Sequence, residues 1–375
     1  MSCGQNFKVK LSDHRFWKKS INSSDLISLN YAQAVFRILN EGDSVMMDPK
    51  FPLPVSSWKD IPSLQFKTSG TSSKSKKIIL SWEALNKASQ RLESYFNLDE
   101  PINTISSLPI HHVGGWMQVM RAWFSSGSVL FVDYKDLAKS EKLNLCDNRF
   151  ISLVPSQLYE LLKSENAIAH LRRCRGIFVG GAHCSSEIAK KAREAELPIY
   201  LCYGMTETAG MVTVLDKDDF ANGISGVGQP MQGVSMRLDS EGRICIKCPS
   251  IGFAEVGSVS FDQKWFVTSD LGKEKNGYWE VLHRVDRLIN TGGEKVNPDL
   301  VEKNILEFPS VKSCLVSSEK DEKWVEKVVA YVTPKSICSK GLRLFLEARL
   351  KKHEVPKNFY TIDTIQDAKS KNWKH

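Results

Sequence analysis

Four short stretches carry residue types that could do chemistry. The first is "TSGTSSKSKK", where Thr68, Ser69, Gly70, Thr71 and Ser72 precede Lys74, Lys76 and Lys77. Hydroxyls and backbone N–H groups can wrap phosphate oxygens, and lysines neutralise them. A Walker A loop cannot be fitted here, and a solvated Ser/Lys loop has the same composition. The second is "LCYGMTETAG", residues 201–210. Tyr203 can stack on a base, Thr206 can hydrogen-bond a phosphate and Glu207 can hold Mg2+ by its carboxylate; a polar turn capping the next element is the plainer alternative. The third is "FVTSDLGK", in which Asp270 could accept both hydroxyls of a ribose or serve only a turn. The fourth is "HHVGGWMQVMRAWF", where Trp116, Met120 and Trp123 follow helical spacing with Arg121 beside them. Arginine at the edge of an apolar pocket can clamp a carboxylate bidentately, although a helix arginine is also at home in solvent. The pair His111–His112 has no third ligand near it and does not read as a metal site.

These residues need a scaffold, and the apolar pattern supplies one. The runs "NTISSLP", "SVLFVDY", "RFISLVP", "RGIFVGG" and "PIYLCYG" read as buried strands. Helical patterns at 115–125, 156–164 and 185–196 separate most of them, which is the rhythm of an α/β domain with a parallel sheet. Tyr203-Gly204 then ends a buried strand, and open α/β sheets bind ligands at such ends. Residues 24–40 have helical spacing behind an N-cap serine, and residues 44–65 are Pro-rich and read as a loop. "SWEALNKASQRLESYF" reads as a helix capped by Ser81, with Glu83 making an imperfect capping box. From about 226 to 283 short strands divided by Gly turns form a β subdomain. A helix at 298–307, strands near 312–317 and 327–333 and a helix at 340–352 complete a small α+β tail. The expected fold is therefore α/β: a large N-terminal domain, 1–285, with its β subdomain, and a small C-terminal domain, 286–375, with the boundary at "HRVDRLINTGG".

Length and composition agree with two globular domains: 375 residues, 42% apolar and 25% charged. The net charge of +8 favours anionic partners, but Lys and Arg are scattered. Phosphorylated small molecules therefore fit as well as RNA, and no nucleic-acid partner is expected. Nine cysteines, an N-terminus without an apolar core and apolar runs too short for a bilayer lead us to expect a reduced, cytoplasmic protein with no membrane partner. "CIKC" at Cys245–Cys248 lacks a second ligand pair and lies in a strand-like stretch, so we read a strand rather than a zinc site.

The order TSGTSSKSKK, LPIHHVGG, YGMTET, VTSDLG, HRVDRLINTGGEKV resembles the adenylate-forming superfamily of acyl-CoA synthetases, peptide-synthetase adenylation domains and luciferases. The likeness runs from about Lys67 to the C-terminus. The chain is shorter than typical members, which implies an abbreviated N-terminal part of the large domain. The resemblance implies ATP, Mg2+ and coenzyme A as ligands, with a small-molecule carboxylic acid as substrate. It also implies a C-terminal domain that moves about Asp286, and a homodimer is a family expectation.

By position, Thr68 to Ser72 and Lys76 match the loop that holds the β- and γ-phosphates. Ser72, Ser73, Ser75 and Lys77 depart from the commonest pattern of that loop, Ser73 and Lys77 standing where it has glycines. Gly180, Gly181 and Ala182 match the segment lining the adenine and acyl pockets. Tyr203, with Gly204, matches the adenine-stacking position, Thr206 the α-phosphate contact and Glu207 the Mg2+ ligand. Asp270 and Arg284 match the ribose contacts, and Gly292 and Gly293 the glycines beside the pantetheine channel. The late lysine of the family aligns with Lys371, or with Lys369 in a register two residues earlier. The segment H-V-G-G, with Arg121 nine residues after His112, and "SLVPSQL" with Ser152 are similar to the o-succinylbenzoate–CoA ligases of menaquinone biosynthesis. That likeness makes Arg121 the contact to the substrate carboxylate and places His112 and Ser152 at the acyl pocket. Two other readings remain at this point: a ligase for another aromatic or short acid, and a non-catalytic adenylate-binding protein.

Overall fold

The computed structural model describes residues 17–18, 23–40, 44–50, 52–55, 63–68, 76–139, 143–254, 261–262, 265–322, 324–363 and 365. These fall into two compact units. The first holds the described residues up to Thr268 together with Gly272–Val281. The second holds Ser269–Leu271 and the described residues from Leu282 onward.

An eight-stranded sheet organises the first unit. Its order is Trp17–Lys18, Val129–Phe131, Thr104–Ser106, Phe150–Leu153, Gly176–Val179, Ile199–Met205, Gly210–Leu215, Gln229–Pro230. The first six strands pair in parallel and the last two join antiparallel. All four residues of Phe150–Leu153 and all four of Gly176–Val179 are buried, as a parallel strand covered on both faces requires. The five apolar runs picked out in the sequence are five neighbouring strands of this sheet. The helices fall where their periodicity puts them, at Val113–Phe124, Pro155–Leu161 and Ser186–Glu194. Short helices at Glu165–Arg172 and Lys217–Ala221 escaped the pattern because fewer than three turns carry little periodicity.

A second sheet of the same unit has the order Phe253–Ala254, Lys76–Ser81, Ser63–Thr68, Ser44–Met47, Leu53–Val55. The Pro-rich loop expected over 44–65 is thus partly strand. Pro54 is accommodated because, among the described residues, Leu53–Val55 is an edge strand with one partner. Strands Ser63–Thr68 and Lys76–Ser81 pair antiparallel, ending at Thr68 opposite Lys76. Ser69, Gly70, Thr71 and Ser72 join them and lie outside the described residues. Ser81 caps the helix Trp82–Phe96, its hydroxyl accepting the Ala84 N–H at 3.1 Å. The β subdomain expected over 226–283 is present as strands Ser235–Leu238, Arg243–Lys247, Phe261–Asp262, Trp265–Lys275 and Tyr278–Arg284. Cys245 is buried in the second of these, as the strand reading of "CIKC" requires. The eight described cysteines are free thiols.

The second unit has its own core. The long antiparallel pair Ser313–Asp321 and Val325–Thr333 takes, on the other edge of its second strand, Ile289–Thr291 at Val325 and, in parallel, Asn358–Thr361 at Val329–Val332. Helices Pro298–Leu306 and Ser339–Glu347 cover it, with Val301, Ile305, Leu342 and Leu346 buried among Val316, Val328 and Val332. The last helix stops five residues earlier than its expected end at 352. Strand Ile289–Thr291 forms a hairpin with Glu294–Val296. Gly292 and Gly293 are its turn, with φ of +61° and +88°. Two successive positive φ values are what a type I′ turn demands, so these glycines have a local reason to be there.

Candidate active site

The carboxyl ends of the parallel strands bring four of the sequence motifs together in the first unit. Strand Thr104–Ser106 leads toward "HHVGG", strand Phe150–Leu153 carries Ser152, strand Gly176–Val179 delivers Gly180 and Gly181, and strand Ile199–Met205 delivers Tyr203 and Gly204. Gly180 lies against its neighbour: a Cβ there would sit 2.8 Å from the Cys202 carbonyl oxygen. Gly181 has φ +78° and faces Val154, and Ala182 follows it.

The turn bearing Thr206 and Glu207 is tightly specified. The strand pair slips register between Tyr203 and Gly204, and a Cβ on Gly204 would lie 2.1 Å from the Gly210 carbonyl oxygen. Thr206–Thr208 makes a single 3-10 turn, closed by Ala209 at φ +54° and Gly210 at φ +99°. Thr208, fully buried, accepts the Met205 N–H at 3.1 Å and donates to the Gly210 carbonyl at 2.6 Å. The Glu207 carbonyl accepts the Gly252 N–H at 2.7 Å. The turn backbone is thus pinned, while Tyr203, Thr206 and Glu207 remain half-buried. Among the described residues no cluster of three or more metal-ligating side chains exists. A single carboxylate such as Glu207 nonetheless fits Mg2+, which keeps several waters and takes one or two protein carboxylates.

Helix Val113–Phe124 lies across the central sheet and touches strands Thr104–Ser106, Phe150–Leu153 and Gly210–Leu215. Its apolar face, Trp116, Met117, Val119 and Met120, is buried. Arg121 is buried with it at 5% exposure, which contradicts a solvated helix arginine. Its guanidinium lies 5.5 Å from the Phe178 ring centroid and beside Gly210. Nε and Nη1 have no hydrogen-bond partner, and burial pushes the group well below its ordinary pKa, to about 10. Gln118, one turn earlier on the same face, is 1% exposed; its Nε2 donates to Ser152 Oγ at 2.5 Å while its Oε1 is unpartnered. Sequence reading passed over Gln118, although its i, i+3 spacing from Arg121 would have pointed to it. The buried, unpartnered arginine nitrogens suit a ligand that carries a carboxylate, while the free Gln118 Oε1 is an acceptor and suits a hydrogen-bond donor. His112 stands exposed at the helix N-terminus, and partial desolvation holds its pKa below the ordinary value; His111 is lowered by burial and by His112.

The second unit carries the remaining motif residues. Asp270 is 5% exposed, and Arg284 Nη1 donates to its Oδ1 at 3.3 Å. Asp286 grips the same guanidinium in a fork, Nε to Oδ1 at 2.9 Å and Nη2 to Oδ2 at 2.6 Å. The candidate ribose pair and the candidate hinge are therefore one ion-paired cluster. Gly292 packs under Trp324, where a Cβ would lie 2.6 Å from the ring. Lys369 and Lys371 lie outside the described residues.

A family model described as AMP-binding enzyme matches residues 19–252, and one described as AMP-binding enzyme C-terminal domain matches 300–372. Curated relatives include the 2-succinylbenzoate–CoA ligase of Lactococcus lactis, 29% identical over 84% of this chain and 71% of that protein. The Bacillus subtilis ligase of the same name is 27% identical over 80% of this chain and 64% of its own length. Among solved structures, the Bacillus subtilis o-succinylbenzoate CoA synthetase in complex with the acyl-adenylate intermediate OSB-AMP shares the fold with a TM-score of 0.69, at 24% identity over 80% of this chain and 65% of that one. An ATP-bound RpMatB-BxBclM chimera gives a TM-score of 0.71 at 26% identity, over 83% of this chain and 66% of that one. The chain thus spans about two thirds of the length of the proteins it matches.

Proposed function

The chain belongs to the AMP-binding enzyme family, and we propose that within it this protein is an ATP-dependent acid–thiol ligase converting o-succinylbenzoate to o-succinylbenzoyl-CoA. One observation carries the choice of acid: the buried Arg121 guanidinium with two unpartnered N–H-bearing nitrogens. A substrate with a second carboxylate, not the reacting one, supplies what that group lacks. The names of the curated relatives support the same choice.

In this reading the reacting carboxylate oxygen attacks the α-phosphorus of ATP in line, and pyrophosphate leaves. Phosphoryl and nucleotidyl transfer need positioning and charge neutralisation more than covalent help from protein. Thr206 holds the α-phosphate, Tyr203 stacks on the adenine against Gly180, Gly181 and Ala182, and the loop Thr68 to Ser72 with Lys76 takes the outer phosphates. Asp270 and Arg284 take the ribose hydroxyls. Glu207 would hold Mg2+, which when bound would supply neutralisation of phosphate charge. Arg121, Ser152 and His112 orient the acid; desolvation holds the His112 pKa below its ordinary value, which favours the neutral imidazole as a hydrogen-bonding partner. Lys371 stabilises the charge of the first step only. Movement of the small unit about Asp286 then withdraws it and opens a channel by Gly292 and Gly293. The CoA sulfur, its proton lost, attacks the acyl carbon and AMP leaves. The ligands are small molecules acting in the cytoplasm; among the described residues no helix is long and apolar enough to cross a membrane.

ATP–pyrophosphate exchange with o-succinylbenzoate and a panel of mono- and dicarboxylic acids tests this. Exchange strongest with o-succinylbenzoate is expected. Exchange that favours another acid would transfer the activity to that acid, and none with any acid would point to a non-catalytic adenylate-binding protein.

A further inference from the structure

Arg91 belongs to none of the motifs, yet it is 4% exposed in the middle of helix Trp82–Phe96. Its partners are distant in sequence. Nη1 donates to the Met211 carbonyl at 2.8 Å and Nη2 to the Ser250 hydroxyl. Ser250, itself fully buried, passes the bond on, donating to the Thr208 carbonyl at 2.8 Å. The Cys248 sulfur lies 3.4 Å from the same hydroxyl. One proton donated and two lone pairs occupied exhaust what a serine hydroxyl offers.

The two carbonyls so gripped, at 208 and 211, flank Ala209 and Gly210, the consecutive residues of positive φ that close the Thr206–Thr208 turn. Alanine in the left-handed region is strained and persists only where its surroundings over-determine it. Two arms of one planar guanidinium, fixed in a fork, provide that determination from outside the turn. Among the described residues no carboxylate pairs with Arg91, so burial of its charge is uncompensated by an ion pair. We propose that Arg91, acting through Ser250, is a positioning residue that sets the turn carrying Thr206 and Glu207 for Mg-nucleotide binding. This rests on the nucleotide reading of that turn given above.

Ser250→Ala removes the bridging hydroxyl and leaves the helix and the guanidinium in place. Equilibrium dialysis of Mg·ATP, run without any acid, is expected to show about tenfold weaker binding. The half-saturating Mg2+ concentration in exchange should rise in parallel, with KM for the acid unchanged. Ala209→Gly relieves the strained residue, so the double variant Ser250→Ala/Ala209→Gly should recover Tm without recovering Mg·ATP affinity. Arg91→Lys keeps the charge but loses the fork, and should resemble Ser250→Ala in Mg·ATP binding. Unchanged Mg·ATP binding in Ser250→Ala, or affinity that returns together with Tm in the double variant, overturns the positioning role alone. No Mg·ATP binding by the unsubstituted chain overturns the nucleotide reading and this proposal with it.

Discussion

Arg121→Met is the substitution whose outcome the structure specifies most fully. Methionine has nearly the length of the arginine stem, and the groups around the guanidinium include Met117, Phe178 and Gly210, none of them a hydrogen-bond partner for Nε or Nη1. Burial lowers the arginine pKa to about 10, the nearby Arg91 charge adding to the effect and Cys202 opposing it. Each pKa step of one corresponds to about 1.4 kcal/mol. The unliganded protein therefore carries a burial penalty of roughly 3 kcal/mol at this residue. The sign follows from the cation: its folded pKa is below its unfolded one, so the penalty is complete at every pH below 10 and is relieved only above that. Arg121→Met should accordingly stabilise the unliganded chain by roughly 1–3 kcal/mol in urea unfolding, with a difference that stays flat from about pH 6 to pH 9. Acid-dependent exchange should move the other way. Losing a buried charge-assisted clamp costs roughly 3 kcal/mol or more, a hundredfold or greater fall in kcat/KM for o-succinylbenzoate. Monocarboxylic acids should be almost unaffected. A variant that is less stable than its parent and equally selective among acids would refute the reasoning at both ends.

Three further outcomes are expected. Gly204→Ala places a Cβ 2.1 Å from the Gly210 carbonyl oxygen and should cost roughly 2–4 kcal/mol in thermal unfolding, with nucleotide binding lost alongside. Lys371→Ala should lower adenylation by about 10²–10³ while sparing thioester formation from preformed acyl-adenylate; if Lys369→Ala does this instead, the register of the last motif shifts by two. His111 and His112 both have folded pKa values held below the ordinary histidine value, so the unfolded chain takes up protons first and stability is lost as pH falls through about 6.5. Replacing both with Gln should flatten urea-unfolding stability between about pH 7 and pH 5; parallel profiles would show that neither histidine contributes.

How much of this was legible in the sequence depends on how locally each feature is encoded. The central sheet was readable because its strands are buried on both faces and therefore appear as unbroken apolar runs such as "RFISLVP". The Ser81 cap was readable because its hydroxyl serves an N–H three residues away. Strand Leu53–Val55 was not: proline normally argues against a strand, and only its edge position, a property of the whole sheet, makes Pro54 tolerable. Strand Asn358–Thr361 was missed for a related reason, since four residues carry almost no pattern until Val325–Thr333 is there to pair with them.

The site divides along the same line. Tyr203, Thr206, Glu207, Asp270 and Arg284 could be named because each sits in a contiguous motif, and the structure adds that Asp270, Arg284 and Asp286 form one ion-paired group. Arg121 was visible as a residue but not as a buried charge, because helical spacing alone cannot distinguish a fork turned into the core from one turned to water. Arg91 was invisible. It lies in a helix rich in polar residues, where an arginine is unremarkable, and the partners that give it meaning are 120 and 159 residues away. Motifs record the residues that would meet the ligand, since those must recur in fixed spacing. The groups that hold a motif in shape are gathered from whatever elements the fold brings alongside, and such groups are found only by asking where each buried donor sends its hydrogen bond.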